Sequence, residues 1–337
     1  MDVKVSKISV ILIATASFIV VVAGMRAAAS LVNPFLLSIF FAILFSPPLF
    51  WLQRKGVPDG LAISLIVLVF LVVMFLLVVF VGGSVNSFVQ QLPTYQERLS
   101  TLTASSLDWL AGLGLDLSSS SLTDLFSPGK AMKMAASLLT GLTGLFANLF
   151  FILLIVIFIL LEASGFPQKL QEAFHDPERT MGPFRTFMEG VNRYFALKTV
   201  FSLVTGITVW LWLAVLGVDF APTWGMIAFF LNFVPNIGSI IAAIPAVLLA
   251  LIQLGVPSAL LACLGYALVN IVVGNILEPK FMGRGLGLST LVVFISLVFW
   301  GWVLGPIGMV LSIPLTMIVK IALATDEDTL WIAILLE

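Results

Sequence analysis

Long apolar runs alternate with shorter polar segments along most of this chain. Five runs are each close to the roughly 20 residues that an α-helix needs to cross about 30 Å of hydrocarbon. A continuous apolar run of that length is typical of a helix that faces lipid on most of its surface. We therefore predict membrane-spanning helices at residues 8–25, 35–52, 61–81, 142–161 and 199–216.

Proline and glycine suggest where some of these helices begin and end. Pro34 favours a helix start, and the pair Pro47-Pro48 predicts a kink or an end in the second span, because proline lacks the backbone N–H that the helix requires. Residues 56–60 read Gly-Val-Pro-Asp-Gly, which predicts a turn between the second and third spans.

The apolar pattern changes in the last third of the chain. Residues 224–252 are too many for a simple span and are interrupted at 233–236, where the sequence reads Phe-Val-Pro-Asn. Residues 259–277 form an ordinary span. Residues 288–323 are again too many for one helix and are interrupted at Gly305-Pro306. We interpret the two interrupted segments as helical hairpins.

The distribution of Lys and Arg favours cytoplasmic termini, because basic residues accumulate in cytoplasmic loops. The basic N-terminus and the basic segment 162–198 fall on the same side of the predicted spans. Lys280 and Arg284 join them there only if 224–252 returns to its starting side. Its first arm has about ten residues, or roughly 15 Å, which reaches only the midplane. This favours a re-entrant hairpin, whereas 288–323 could be either re-entrant or spanning.

The two interrupted segments resemble each other. Residues 235–238 read Pro-Asn-Ile-Gly and 306–308 read Pro-Ile-Gly, and each is followed by an Ile-Pro pair. By the charge argument the first hairpin enters from outside and the second from inside. This arrangement is an inverted repeat, which in many secondary transporters places broken helices near the bilayer centre.

The amino-acid composition excludes several classes of function. Of the 337 residues, 61% are hydrophobic and only 10% are charged. So few charges do not cover a water-exposed surface. The net charge of −1 gives no basic footprint for nucleic acid. One cysteine and one histidine provide neither a disulfide nor a metal cluster, so no cofactor is expected. The sequence also contains no nucleotide-binding or intramembrane protease motif, which argues against an enzyme.

Polar residues within the apolar segments are the candidates for solute binding. Backbone groups that a broken helix leaves free need partners in protein or in a polar cavity. Asn236 would begin a half-helix, either as a cap alone or as a solute ligand at the positive end of the dipole. The predicted substrate-binding residues are Asn232, Pro235, Asn236, Gly238, Asn270, Asn275, Glu278, Pro306 and Gly308.

Charged residues near span ends are the candidates for coupling transport to an ion gradient. Intramembrane charges are costly and are usually functional. Two structural alternatives stay open: Glu278 could pair with Lys280 or Arg284, and the Lys198 ammonium could extend to the membrane interface. The predicted coupling residues are Glu162, Lys198, Glu278 and Arg284.

Three C-terminal segments give the chain a family resemblance. They are 231–239 (LNFVPNIGS), 274–289 (GNILEPKFMGRGLGLS) and the region 299–315, with weaker similarity at 91–95, 160–162 and 197–199. These motifs resemble the autoinducer-2 exporter (AI-2E) family, whose members are usually described with about eight spans. The resemblance implies export of the quorum-sensing signal autoinducer-2, or of a similar small polar solute, from a bacterial inner membrane.

The family also leaves other functions open. Some members are proposed to be sodium or lithium/proton antiporters, so a coupling cation or proton is a possible partner beside the solute and the lipid bilayer. The resemblance further implies a homo-oligomer. A non-transporting membrane scaffold is the remaining alternative.

We therefore predict an all-α polytopic membrane protein with about eight hydrophobic segments. The predicted organisation is a three-helix membrane segment at 1–81, an extracytoplasmic helical insertion at 82–141, a fourth span at 142–161, a cytoplasmic amphipathic linker at 162–198, a transport core at 199–325 and a cytoplasmic tail at 326–337.

Overall fold

A computed structural model describes residues 7–112, 149–163, 177–235, 237–282, 288–324 and 329–336. Within these ranges the regular elements are helices and no strand occurs, which confirms the all-α prediction. In chain order the helices are α1 (Lys7–Ala27), α2 (Ala29–Arg54), α3 (Asp59–Gly112), α4 (Leu149–Ala163), α5 (Pro177–Leu216), α6 (Ala221–Leu231), α7 (Ile237–Leu254), α8 (Val256–Val269), the π-helix π1 (Asn270–Leu277), α9 (Glu278–Met282), α10 (Thr290–Leu304), α11 (Pro306–Ala324) and α12 (Leu330–Leu335).

Six helical stretches of the described chain are long and apolar enough to cross a membrane. They are Ala29–Arg54, Asp59–Arg98, Met188–Leu216, Ile237–Leu254, Val256–Phe281 and Pro306–Ala324. Shorter apolar helices add to them, and large apolar side chains are exposed along most of these elements. Such a surface is stable only in contact with lipid, so the chain is a multi-pass membrane protein.

The prolines of α2 lie inside the helix, so the predicted helix start at Pro34 and the alternative of an end at Pro47-Pro48 are wrong. Pro47 cannot donate to the carbonyl of Ile43, four residues earlier. The hydroxyl of Ser46 donates to that carbonyl instead, at 2.9 Å. A side chain therefore satisfies the group that proline leaves free, which is how membrane helices tolerate proline.

The chain folds into two compact units. The first contains the described residues of Met1–Ser64, Phe150–Arg193 and Arg284–Glu337, and the second those of Leu65–Leu149 and Tyr194–Gly283. The predicted turn at 56–60 is confirmed between α2 and α3, where Gly56 has a φ of +85°. The third span continues beyond residue 81 as one helix to Gly112, while 113–141 lie outside the described residues.

Each unit contains one broken helical pair. In the second unit, hairpin A consists of α6 and α7, which are separated by residues 232–236. In the first unit, hairpin B consists of α10 and α11, separated only by Gly305. Both interruptions lie where the sequence predicted them. The arms of hairpin A are unequal, since α6 has 11 residues and α7 has 18 residues. At the rise of an α-helix these arms extend about 16 Å and about 27 Å, respectively.

A glycine brings the two arms into close contact in each hairpin. A Cβ on Gly238 would lie 1.8 Å from the carbonyl oxygen of Leu231, on the opposite arm. In hairpin B a Cβ on Gly308 would lie 2.0 Å from the carbonyl oxygen of Trp300. Neither position can therefore hold a side chain without moving backbone. The two hairpins share this local geometry as well as their sequence motif.

Hydrogen bonds join the start of each hairpin to a later part of the chain. Before α6, the Asp219 N–H donates to Gln253 Oε1 at 2.9 Å, and the Gln253 amide donates back to the Asp219 carboxylate. Because Gln253 lies at the end of α7, the two ends of hairpin A lie beside each other. Just before α10, the Ser289 N–H donates to the carbonyl of Leu336, the residue that follows α12, at 3.1 Å, so this bond connects the start of hairpin B to the C-terminal helix.

Candidate functional site

A stripe of polar side chains follows the buried face of α5. Lys198, Ser202 and Thr205 are spaced i, i+4 and i+7, which places them on one side of a helix. All three are buried, with 4%, 0% and 5% of their surface exposed. The same face continues with Val209 and Leu213, which are packed in the core of the second unit. Burial of this stripe is costly unless each group has a partner.

Lys198 and Glu278 form a buried ion pair between α5 and the first residue of α9. The Lys198 Nζ lies 2.5 Å from Glu278 Oε1, and the two side chains are 5% and 15% exposed. Two of the predicted coupling residues thus contact each other. The lysine ammonium is buried against the carboxylate and does not extend to the surface.

Ser202 binds the residue at which α6 ends. Asn232 Nδ2 donates to Ser202 Oγ at 3.0 Å, and both side chains are buried. Asn232 is also the C-cap of α6, so its backbone begins the interruption of hairpin A. This bond connects the break in the hairpin to the polar stripe of α5.

The predicted ordinary span 259–277 contains a π-helix. After α8 the chain widens into π1 at Asn270, and π-helical turns frequently occur at functional sites. The Ser239 hydroxyl of α7 donates to Asn270 Oδ1 at 2.9 Å. A Cβ on Gly274 would lie 3.1 Å from the same oxygen, so the glycine leaves room for the amide. The second predicted asparagine of this span, Asn275, is exposed.

Two hydroxyl groups of this unit are buried without a hydrogen-bond partner among the described residues. They belong to Thr199, which follows the paired lysine, and to Tyr266, which lies one turn before Asn270. Buried polar atoms in native proteins nearly always have a partner, which can be an ordered water or a ligand. The interior of this unit therefore offers unused hydrogen-bonding capacity beside its satisfied pairs.

The remaining predicted residues lie in different places. Pro235 is in the interruption of hairpin A, and Gly238 follows it on α7. Pro306 and Gly308 begin α11 in the first unit. Glu162 is exposed near the end of α4, also in the first unit. Asn236 and Arg284 lie outside the described residues.

The structure adds residues that the sequence analysis did not single out. Ser202, Ser239, Thr205 and Tyr266 are ordinary residues in membrane helices when each is taken alone. The polar stripe of α5 could have been found from the sequence, because the polar residues at 198, 202 and 205 follow helical spacing within an apolar run. Ser239 could not be found in this way, since its partner Asn270 is 31 positions away.

The arrangement combines one ion pair with hydrogen-bonded amide and hydroxyl groups. In the part of the chain that the structure describes, no group of three His, Cys, Asp or Glu side chains could hold a metal ion. The ion pair provides one carboxylate and one ammonium group. The amides and hydroxyls provide both donors and acceptors for a polar solute.

Known proteins resemble this chain over nearly its whole length. The sequence profile of a family described as "AI-2E family transporter" matches residues 11–326. The AI-2 transport protein TqsA of Escherichia coli K12 is 42% identical over 326 residues, which cover 97% of this chain and 95% of TqsA. The putative transport protein YhhT of the same organism is 39% identical over 326 residues, covering 97% and 93%. A putative transport protein of Haemophilus influenzae is 39% identical over 331 residues, covering 96% and 95%.

Proposed function

The chain belongs to the AI-2E family of transporters, and from that membership we propose that it exports autoinducer-2 or a similar small polar solute. The observation that carries this proposal is the relative named an AI-2 transport protein, which matches 97% of the chain at 42% identity. The proposed location is a bacterial inner membrane, with both termini in the cytoplasm. The proposed assembly is a homo-oligomer.

The polar interior of the second unit supports a mechanism of alternating access. Asn232 and Asn270 each use only part of their hydrogen-bonding capacity in their contacts with Ser202 and Ser239. Solute hydroxyls could compete for these amides when hairpin A opens. The short arm α6 ends at Asn232, so movement of this arm would break or form the contact with α5 directly.

The Lys198–Glu278 pair supports a role for a coupling cation or proton. An ammonium on a side chain that is only 5% exposed is stable only while a negative charge lies beside it. Neutralisation of Glu278 by a proton would leave Lys198 uncompensated and would favour a conformation in which the lysine reaches water. A site that alternates in this way can couple proton uptake to a conformational change.

Transport is tested in inverted membrane vesicles that contain the protein. We expect labelled autoinducer-2 to accumulate in the lumen when a proton or sodium gradient is imposed. Vesicles with the double variant Lys198→Met/Glu278→Gln serve as the control, since this variant removes both charges together. Absence of accumulation by the unaltered protein under every gradient would refute export of this solute.

The second candidate function is cation/proton antiport, which the same buried ion pair favours. It predicts salt-dependent proton flux without added solute, and loss of that flux in Glu278→Gln. Glu162→Gln is the matched comparison, because Glu162 is exposed and lies in the other unit. Equal flux in the unaltered protein and in both variants would exclude the carboxylates from antiport.

A further inference from the structure

An open cavity lies at the base of hairpin A and does not include either residue of the ion pair. Its volume is about 500 Å³, and it is lined by residues of α3 and by the end of α7, all within the second unit. Cavities that hold small molecules have volumes of about 300–1,000 Å³. The cavity can therefore accept a solute of the size of a small sugar.

The cavity is lined by hydrogen-bond donors, by hydrogen-bond acceptors and by an apolar wall. Arg98 is a donor, Glu97 is an acceptor when ionised, and Thr101 and Gln253 can each do both. Leu251 and Ile252 add an apolar surface. The two charges cancel, so the lining does not favour a strongly charged ligand. A polyhydroxylated solute fits this mixture, because each hydroxyl can donate and accept and the carbon chain can contact the apolar wall.

One lining residue also closes the hairpin. The side chain of Gln253 exchanges hydrogen bonds with Asp219, at the start of hairpin A. The Tyr95 hydroxyl lies 2.9 Å from the same carboxylate, and Tyr95 is on α3 one turn before Arg98. The cavity and the hairpin base thus share a continuous hydrogen-bonded connection. A ligand that binds the Gln253 side chain would therefore change the strength of the hydrogen bonds between Gln253 and Asp219.

We propose that this cavity between α3 and the end of α7 is a second binding site for a small polyhydroxylated solute. It lies at the end of hairpin A where Gln253 binds Asp219. The inference rests on the proposed function in taking the exported solute as its ligand. By the charge argument this side is extracytoplasmic, so the site would receive the solute on its way out. Its occupancy would act on the hairpin through Gln253 and Asp219.

Protection of an introduced cysteine tests the site without requiring transport. Thr101→Cys is made in a Cys263→Ser background, and its alkylation rate is measured with and without autoinducer-2, or with D-ribose as a second probe. A ligand present at about ten times its Kd should slow the reaction about tenfold. Adding Arg98→Gln should raise the concentration for half protection about tenfold, because a hydrogen bond to a charged group is lost.

Ser100→Cys is the matched control. Ser100 neighbours Thr101, is exposed like it and donates its hydroxyl to the same Glu97 carbonyl, but it does not line the cavity. Its alkylation should not change with ligand. Protection of Thr101→Cys alone, weakened by Arg98→Gln, supports the site even if the vesicles show no flux. Equal rates with and without both probes, or equal protection of both cysteines, would overturn it even if the vesicles export the solute.

Discussion

The buried ion pair gives the most quantitative prediction, because its two side chains are exposed to solvent to different extents. Replacing Glu278 with Gln preserves the shape of the side chain but leaves the ammonium of Lys198, which is only 5% exposed, without a counter-charge. Removing one partner of a buried pair costs about 3–5 kcal/mol. The converse change, Lys198→Met, leaves a carboxylate that is 15% exposed and can reach water more easily, so its cost should be smaller.

The double variant Lys198→Met/Glu278→Gln leaves no buried charge. Replacement of a whole buried pair by neutral residues is often neutral in stability. We therefore expect the double variant to be about as stable as the unaltered protein. Lys198→Met should be less stable than both, and Glu278→Gln should be the least stable of the four. For a chain of this size, a loss of about 3–5 kcal/mol corresponds to a melting temperature lower by roughly 4–7 °C.

Thermal unfolding of the purified protein in detergent, followed by tryptophan fluorescence, measures these shifts at one scan rate. The four proteins complete a double-mutant cycle, which isolates the energy between the two side chains. A melting temperature of Glu278→Gln within about 1 °C of the unaltered protein, or effects that simply add in the double variant, would refute the reasoning, because about 1 °C is well below the shift expected for a buried pair.

Three further predictions concern packing and buried hydrogen bonds. Gly238→Ala and Gly308→Ala should each destabilise the protein by about 3 kcal/mol, at the upper end of the usual cost of overpacking, because the new Cβ meets a backbone oxygen. Gly82→Ala, which has no atom within 4 Å of its Cβ, should be neutral or stabilising in the same melting assay. Ser202→Ala should cost about 1–3 kcal/mol because Asn232 loses its buried partner, whereas a matched Ser100→Ala on the exposed face of α3 should not shift the melting temperature. Gly265→Ala places a Cβ 2.1 Å from Trp212 Nε1, so it should disrupt the hydrogen bond that Trp212 donates to the Leu261 carbonyl. The fluorescence of Trp212 should then shift, and an unchanged spectrum would contradict this prediction.

The breaks in both hairpins could be predicted from the sequence because they follow from the covalent chemistry of proline and glycine. An apolar segment with more residues than a span needs, interrupted at Pro235 or Pro306, must either kink or turn back. Proline alone did not decide helix ends, however. At Pro47 the neighbouring Ser46 satisfies the free carbonyl, and the helix continues.

The partner of Glu278 could not be predicted, because it lies 80 positions away on another helix. The basic residues nearest to Glu278 in the chain are Lys280 and Arg284, and their proximity favoured them as partners over Lys198. The π-helix was also missed. A change from α-helical to π-helical winding does not alter the apolar composition of residues 270–277, so neither length nor hydropathy indicates it.

The distribution of Lys and Arg in the sequence predicts that hairpins A and B enter the membrane from opposite faces, and labelling of single cysteines tests this central prediction most directly. In a Cys263→Ser background, Pro257→Cys lies at the start of α8, just after hairpin A, and Trp331→Cys lies on α12, after hairpin B. Lys280→Cys marks the far end of the span that begins at Val256. We predict that an impermeant maleimide labels Pro257→Cys from the extracytoplasmic side only, and the other two from the cytoplasmic side only. Labelling of Pro257→Cys and Trp331→Cys from the same face would contradict the inverted arrangement.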